Sequence, residues 1–412
     1  MNVCILGLGQ RWLLRMLRTA SRTMYASSLI AARLLVRCWA FALSTSPLDS
    51  ASHAFSREYS YVGGHYANIT VDGSTSQYMV GQIYVEKLTP PTVTQTHPII
   101  FIPGAGQTGA NFLHTPDGRP GWAHFFLSHG YVVYMTDQPE RGRSPWLPGN
   151  GQVAAQPTDA IESLFTAPQD FHLWPQARLH TQWPGTGRVG DPVFDAFYAS
   201  QVQLQTDRLI SEENNAAAYT ALVDHLDEEL YLITHSQAGA YGWRVGDARP
   251  ELVRKIVALE PSGPPFLNAF PFSGRERTWG ITDLEVVYEP PAGPNGSELN
   301  TVTMPAPPGS DLIKCILQAD PPKKLVNLAQ VAVLIVTSEA SFHAPYDYCT
   351  VEYLRQAGVA ADFLDLPTVG IKGNGHMMFM ERNSLEIAHE ILGWLEEASH
   401  REELANGSGD LV

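Results

Sequence analysis

Three observations predict an α/β fold: a doubly wound, mostly parallel sheet with a cap or lid insertion. Short apolar runs such as Tyr131–Thr136 and Leu230–Ile233 are each closed by Gly, Pro, Asp or Ser and followed by a helix-forming stretch, as in parallel strands buried on both faces. The chain has 412 residues, 44% of them hydrophobic, which suits one large catalytic domain with insertions. Two long Pro- and Gly-rich stretches interrupt the rhythm; the first is too apolar for a linker and too long for a bare loop.

Residues 1–53 carry six arginines against one acid, Asp49, and read as a targeting leader outside the fold. A secretory signal would use Leu34–Leu43 as its apolar core and cleave near Ser52-His53-Ala54. Arg33 and Arg37 interrupt that core and suit a mitochondrial transit peptide, and a start misplaced upstream of Met24 would explain the excess length. Secretion is the favoured address and the mitochondrion the alternative. The whole chain is −15 and the leader +5, so the remainder is −20, which argues against nucleic acid or an anionic membrane as partner. No apolar run approaches the roughly 20 residues of a transmembrane anchor. Removing the leader leaves Cys315 and Cys349, either a disulfide pair in an oxidising compartment or two buried thiols. Asn68, Asn295 and Asn406 begin glycosylation sequons.

The domain itself spans 54–398. From Ser56 to Glu86 apolar and polar residues alternate, as in antiparallel strands exposed on one face. Pro98–Pro103 is a buried strand, followed by the turn Gly104–Gly109 and a helix over 121–128. Tyr131–Thr136 is the next strand, closed by Asp137-Gln-Pro139 and the loop Arg141–Ser144. Residues 145–210 form the cap insertion, and a helix over 213–227 leads to the strand Leu230–Ile233. Lys255–Leu259 is a strand ending on Glu260-Pro261, and a second insertion covers 262–310. Strands Val331–Thr337 and Phe363–Leu366 and an amphipathic helix over 383–397 close the domain; a polar tail, 399–412, reads as disordered.

Thr234-His235-Ser236-Gln237-Ala238-Gly239 follows the strand Leu230–Ile233 directly and continues as a helix. A serine on so sharp a turn is lifted clear of its neighbours beside a helix N-terminus, where negative charge is favoured, so Ser236 is the candidate nucleophile. The bland alternative is a serine capping an ordinary helix. A serine needs a base, and Gly373-Asn-Gly375-His376 lies after the last strand, where the neighbouring glycines let the chain bring an imidazole over the sheet. His235 is assigned packing or pocket shape. The orienting acid stays open among Glu260, Glu339 and Asp347, with strand topology favouring Glu339. Oxyanion donors are expected from the backbone of Gln237 and from the turn at Ala105 and Gly106. That turn lacks the lysine of a phosphate loop. The absence of a Cys-x-x-Cys and of a histidine pair at zinc spacing means that no metal or other cofactor is required.

Pro103–Gly109, Thr136–Ser144, His180–Tyr198, Thr234–Gly239, Leu259–Pro261 and Gly373–Met378 together resemble α/β-hydrolases of the bacterial esterase 713 type and their fungal relatives, over about residues 60 to 398. The resemblance implies esterase chemistry, Glu260 as the triad acid, and oxyanion donors at Ala105–Gly106 and Gln237. Pro103, where many such hydrolases carry His, and Ala238, in place of the outer glycine, depart from the usual pattern without removing a catalytic group.

The function expected is a serine carboxylic-ester hydrolase of moderately apolar small-molecule esters, through Ser236, His376, Glu260 and an acyl-enzyme. A lactonase with the same triad is one alternative, and an inactive binding module on this fold another. A dehalogenase would need Asp at position 236. A homodimer is compatible with this reading.

Overall fold

The turn Asp72-Gly73 has φ of 50° and 77°, the left-handed backbone that joins two strands in a tight hairpin. The alternating runs beside it form two sixteen-residue antiparallel strands, β1 (Ser56–Val71) and β2 (Ser74–Thr89). The structure, a computed structural model, describes residues 54–269 and 273–407, side chains from 398 onward excepted. The expected leader, 1–53, lies outside the described residues. The chain divides into two units, Met1–Ala54 and Phe55–Val412, and the sheet and its helices belong to the second.

Six further strands complete the sheet: β3 (Ile99–Ile102), β4 (Val133–Asp137), β5 (Leu230–His235), β6 (Val253–Leu259), β7 (Ala332–Thr337) and β8 (Ala361–Asp365). Their spatial order is β1-β2-β4-β3-β5-β6-β7-β8. The pairs β1-β2 and β2-β4 are antiparallel and the rest parallel. The helices that frame the sheet are α1 (Trp122–Ser128), α2 (Pro192–Ala199), α3 (Arg208–Leu226), α4 (Ala238–Ala248), α5 (Asp347–Gln356) and α6 (Ser384–Gly407).

The period of two along each strand sorts the core into two layers. Ile100, Ile102, Leu232, Ile256 and Ile335 meet Tyr219, Leu222, Trp243 and Leu354 from α3, α4 and α5. Phe101, Ile233, Val257, Leu259 and Val336 meet Trp122, Phe126, Ile387 and Ile391 from α1 and α6. Each such side chain, taken fully out of water, contributes on the order of 1.5–3 kcal/mol.

Residues 145–210 hold several short helices, and their Phe165, Trp174, Trp183, Phe194 and Phe197 are buried in the second of these layers. Asp191 caps α2 by accepting the N–H groups of Val193 and Phe194 at 2.8 and 3.2 Å. In the later interruption, Thr301–Met304 pairs with Cys315–Gln318, and a Cys315–Cys349 disulfide with Cα atoms 5.2 Å apart ties this hairpin to α5.

The closing helix corrects one expected boundary: it runs to Gly407, whereas the sequence suggested an end near Glu397 and a disordered tail from 399. The segment Arg401-Glu-Glu-Leu-Ala405 consists of good helix formers with no Gly or Pro, so polarity alone does not stop the helix. Residues 408–412 of that tail lie outside the described residues.

Candidate active site

All six residues of β5 are buried, and the chain turns immediately afterwards: Ser236 has φ 56° and α4 begins at Ala238. Left-handed backbone is uncommon for serine and persists where neighbours over-determine it. Here the Ser236 N–H donates to Leu259 O at 2.9 Å, while its carbonyl accepts from Gly239 and Ser262 at 2.9 and 3.0 Å. A methyl group on Gly239 would lie 2.4 Å from Pro261 Cβ. Gly239, one place later than the usual motif, is thus what lets helix and strand ends meet.

Glu260 directly follows β6, with φ 46°. Its carboxylate accepts from Ser338 N–H at 2.8 Å and Ser341 Oγ at 2.6 Å, and Oε2 lies 2.5 Å from His376 Nδ1. His376 Nε2 is buried and has no hydrogen-bond partner among the described residues. Complete burial pushes both partners toward their neutral forms. It raises Glu260 to about 8, helped by nearby Asp347 and opposed by His343 and the two serine donors. It holds His376 well below the ordinary imidazole value, with His343 acting in the same direction.

The other candidate acids have different partners. Glu339, which topology favoured, accepts the Gly373 N–H at 2.8 Å and so braces the loop that carries His376. Asp347 accepts from Thr337 Oγ1 at 2.7 Å and lies 2.9 Å from His343 Nδ1. The loop is held from a further side by Glu381, which accepts from Gly375 N–H and Asn374 Nδ2 and lies 2.7 Å from His180 Nε2. His235 does more than pack: its Nε2 is 3.0 Å from the His376 carbonyl oxygen and anchors the base.

Ala105, Gln237 and Ser236 line one cavity of about 320 Å³. Gly106 does not line it, and its carbonyl accepts from Val202 N–H at 2.8 Å. A methyl group on Gly104 would lie 2.6 Å from His235 Nδ1 and 3.1 Å from Ser236 Cβ, so the turn after β3 rests directly against the elbow. Leu164, Phe165, Phe342 and Tyr346 form an apolar wall, and Phe165 and Phe342 also pack on the His376 ring at 5.1 and 4.7 Å. Arg208, Glu276, Arg277 and Asp283 contribute a charged wall, in which Arg208 donates to Glu276 and Asp283 at 2.6 Å each.

Sequence reasoning missed His343, Ser341, Arg141 and Glu381. The spacing of His343 and Asp347, one helical turn apart, is a visible signal for the first. His180 and Glu381 are 201 positions apart, so no local pattern links them. Glu260, His343 and His376 bring atoms of metal-ligating type within 4.8 Å of one another. Glu260 and His376 are engaged with each other, however, and His343 Nδ1 with Asp347.

No family model matches the chain. It is 57% identical over 370 residues, 90% of this chain and 97% of the relative, to a probable secreted lipase, phiG, of a fungal species, strain ATCC 74256. A bacterial esterase of known structure aligns over 83% of this chain and 95% of its own, with a TM-score of 0.54 and 22% identity, a likeness of fold. With its sheet order, its elbow at Ser236 and this relative, the chain belongs to the esterase-like α/β-hydrolase family.

Proposed function

We propose that this carboxylic ester hydrolase works through a Ser236–His376–Glu260 triad and an acyl-enzyme. The observation that carries the reading is the 2.5 Å contact between Glu260 Oε2 and His376 Nδ1, which leaves Nε2 buried and unpartnered on a ring packed against Phe165 and Phe342 of the cavity that Ser236 lines. With Glu260 ionised, Nδ1 carries the ring proton and Nε2 is free to act as base. Ser236 Oγ then attacks the acyl carbon and passes its proton to Nε2. The N–H groups of Gln237 and Ala105 receive the oxyanion. The imidazolium returns the proton to the departing alcohol, and water repeats the sequence to release the acid.

The cavity supports a compact substrate. About 320 Å³ is near the lower end for small-molecule pockets. The aromatic wall suits a short acyl or aryl group, and the charged wall limits how far an apolar chain extends. Residues 145–210 act as a cap in this reading, since their Phe165 packs on His376. The protein is extracellular. Its relative is described as secreted, the Cys315–Cys349 disulfide suits an oxidising compartment, and Asn68 and Asn295 stand exposed for glycosylation. Among the described residues no helix is long and apolar enough to cross a membrane.

The test is hydrolysis of a short p-nitrophenyl ester and labelling by a serine-reactive phosphonate. Ser236→Ala should abolish both, and Glu260→Gln should cost about 10³- to 10⁴-fold in kcat. Glu339→Gln should keep most activity. A crippled Glu339→Gln beside an active Glu260→Gln would overturn the acid assignment. A wild type that is neither active nor labelled would overturn the mechanism.

A further inference from the structure

Arg141 lies in the loop after β4 with 1% of its surface exposed. Among the described residues no carboxylate pairs with its guanidinium, and burial alone holds its pKa below the ordinary value. Burying a cation without an acid is costly, so the contacts it makes instead must justify its place. There are two: Nη1 donates to the Gly104 carbonyl at 3.0 Å and Nη2 to Gln237 Oε1 at 2.7 Å. These acceptors belong to separate segments, the turn after β3 and the residue after the nucleophile.

The first contact aims a donor. In a trans peptide the C=O and N–H point in opposite directions. Drawing the Gly104 carbonyl toward Arg141 therefore turns the Ala105 N–H away from it, and Ala105 lines the cavity with Ser236. The second contact ties the Gln237 side chain back, leaving its backbone N–H at the elbow as the other donor. We propose that Arg141 is the positioning residue of the oxyanion hole. It sets both donors from behind, and its unneutralised charge favours the oxyanion across a water-poor interior. This proposal rests on the serine-hydrolase reading above.

The experiment compares wild type, Arg141→Gln, Arg141→Lys and Gln237→Ala in kcat and KM on a short p-nitrophenyl ester. It also compares their affinity for a trifluoromethyl ketone, which forms a tetrahedral oxyanion on the serine, and for a ground-state competitive amide. Arg141→Gln should lose about 10²-fold in kcat with KM within about three-fold. Ketone affinity should fall in parallel while amide affinity stays unchanged. Arg141→Lys, which keeps the charge but not the two-pronged grip, should fall in between. Gln237→Ala, which keeps the backbone donor but loses the tie, should lose about ten-fold.

A folded Arg141→Gln with kcat within three-fold of wild type, or with only KM raised, overturns the proposal. If Arg141→Gln does not fold, the lysine and Gln237→Ala variants decide by the same split. Ser236→Ala run alongside separates the two levels: turnover that survives it removes the serine mechanism and this proposal together, whereas neutral Arg141 and Gln237 variants remove this proposal alone.

Discussion

Replacing Glu260 by Gln should stabilise the fold at alkaline pH while destroying catalysis. Burial moves the Glu260 carboxyl from its ordinary 4.5 to about 8. At about 1.4 kcal/mol per pH unit, ionising it in the folded state costs on the order of 5 kcal/mol. Between pH 4.5 and 8 the unfolded chain releases this proton and the folded chain keeps it, so stability falls as pH rises across that window. Glutamine carries no proton to release, so the variant lacks this fall. His376, held neutral in the fold, contributes with the opposite sign below its ordinary value, and to first order it does so in both proteins and cancels in the comparison. Urea unfolding of wild type and Glu260→Gln at pH 5, 7 and 9 measures the difference, which should favour glutamine increasingly with pH, by a few kcal/mol at pH 9. The same titration sets activity: a protonated Glu260 donates to Nδ1 and leaves a proton on Nε2, so wild-type kcat should climb as pH passes through about 8. A stability difference that is flat with pH, together with full activity at pH 6, would refute a Glu260 that is hard to ionise.

Other perturbations read other parts of the structure. Gly239→Ala forces a methyl group to within 2.4 Å of Pro261 Cβ; the strained elbow should lose at least about 2 kcal/mol in urea unfolding, with esterase activity falling as well. Reducing Cys315–Cys349, which are 34 positions apart, should cost about 3–4 kcal/mol, seen as a lower melting temperature in the presence of reductant. Glu381→Gln weakens the grip on Gly375 and Asn374 and should reduce kcat by ten-fold or more with KM little changed. An unchanged kcat there would mean that His235 and Glu339 hold the loop unaided.

The sheet was legible because its evidence is local. Strands such as Ile99–Ile102 and Leu230–His235 are short apolar runs bounded by turn residues, and only their ends move by a residue or two. Ser236 and His376 stood out for the same reason, one on a strand-to-helix turn and the other just after two glycines near the last helix. The acid was not legible from the residues alone. Glu260 and Glu339 both lie at the ends of neighbouring strands, β6 and β7, and only the three-dimensional path of the loops shows which carboxylate reaches His376 Nδ1. The supports were invisible for a related reason. Arg141 meets Gln237 across 96 positions, and Ser341 meets Glu260 across 81, so their pairing is a property of packing and leaves no periodic trace.

Glu260, Ser338, Ser341, Glu381 and Arg141 share a placement: none of them lines the cavity that holds Ser236. These five act on the reacting groups from the far side, through backbone carbonyls, amide hydrogens and ring nitrogens, whereas His343, Phe165 and Phe342 meet the His376 ring from the cavity side. The lining residues that touch neither His376 nor the elbow can therefore vary on their own. Exchanging Leu164, Ala240 or Asn268 changes what fits beside the serine without touching the bonds that aim it. Related chains can thus diverge in the esters they accept while keeping one chemical step, and a designer can reshape the pocket without rebuilding its engine.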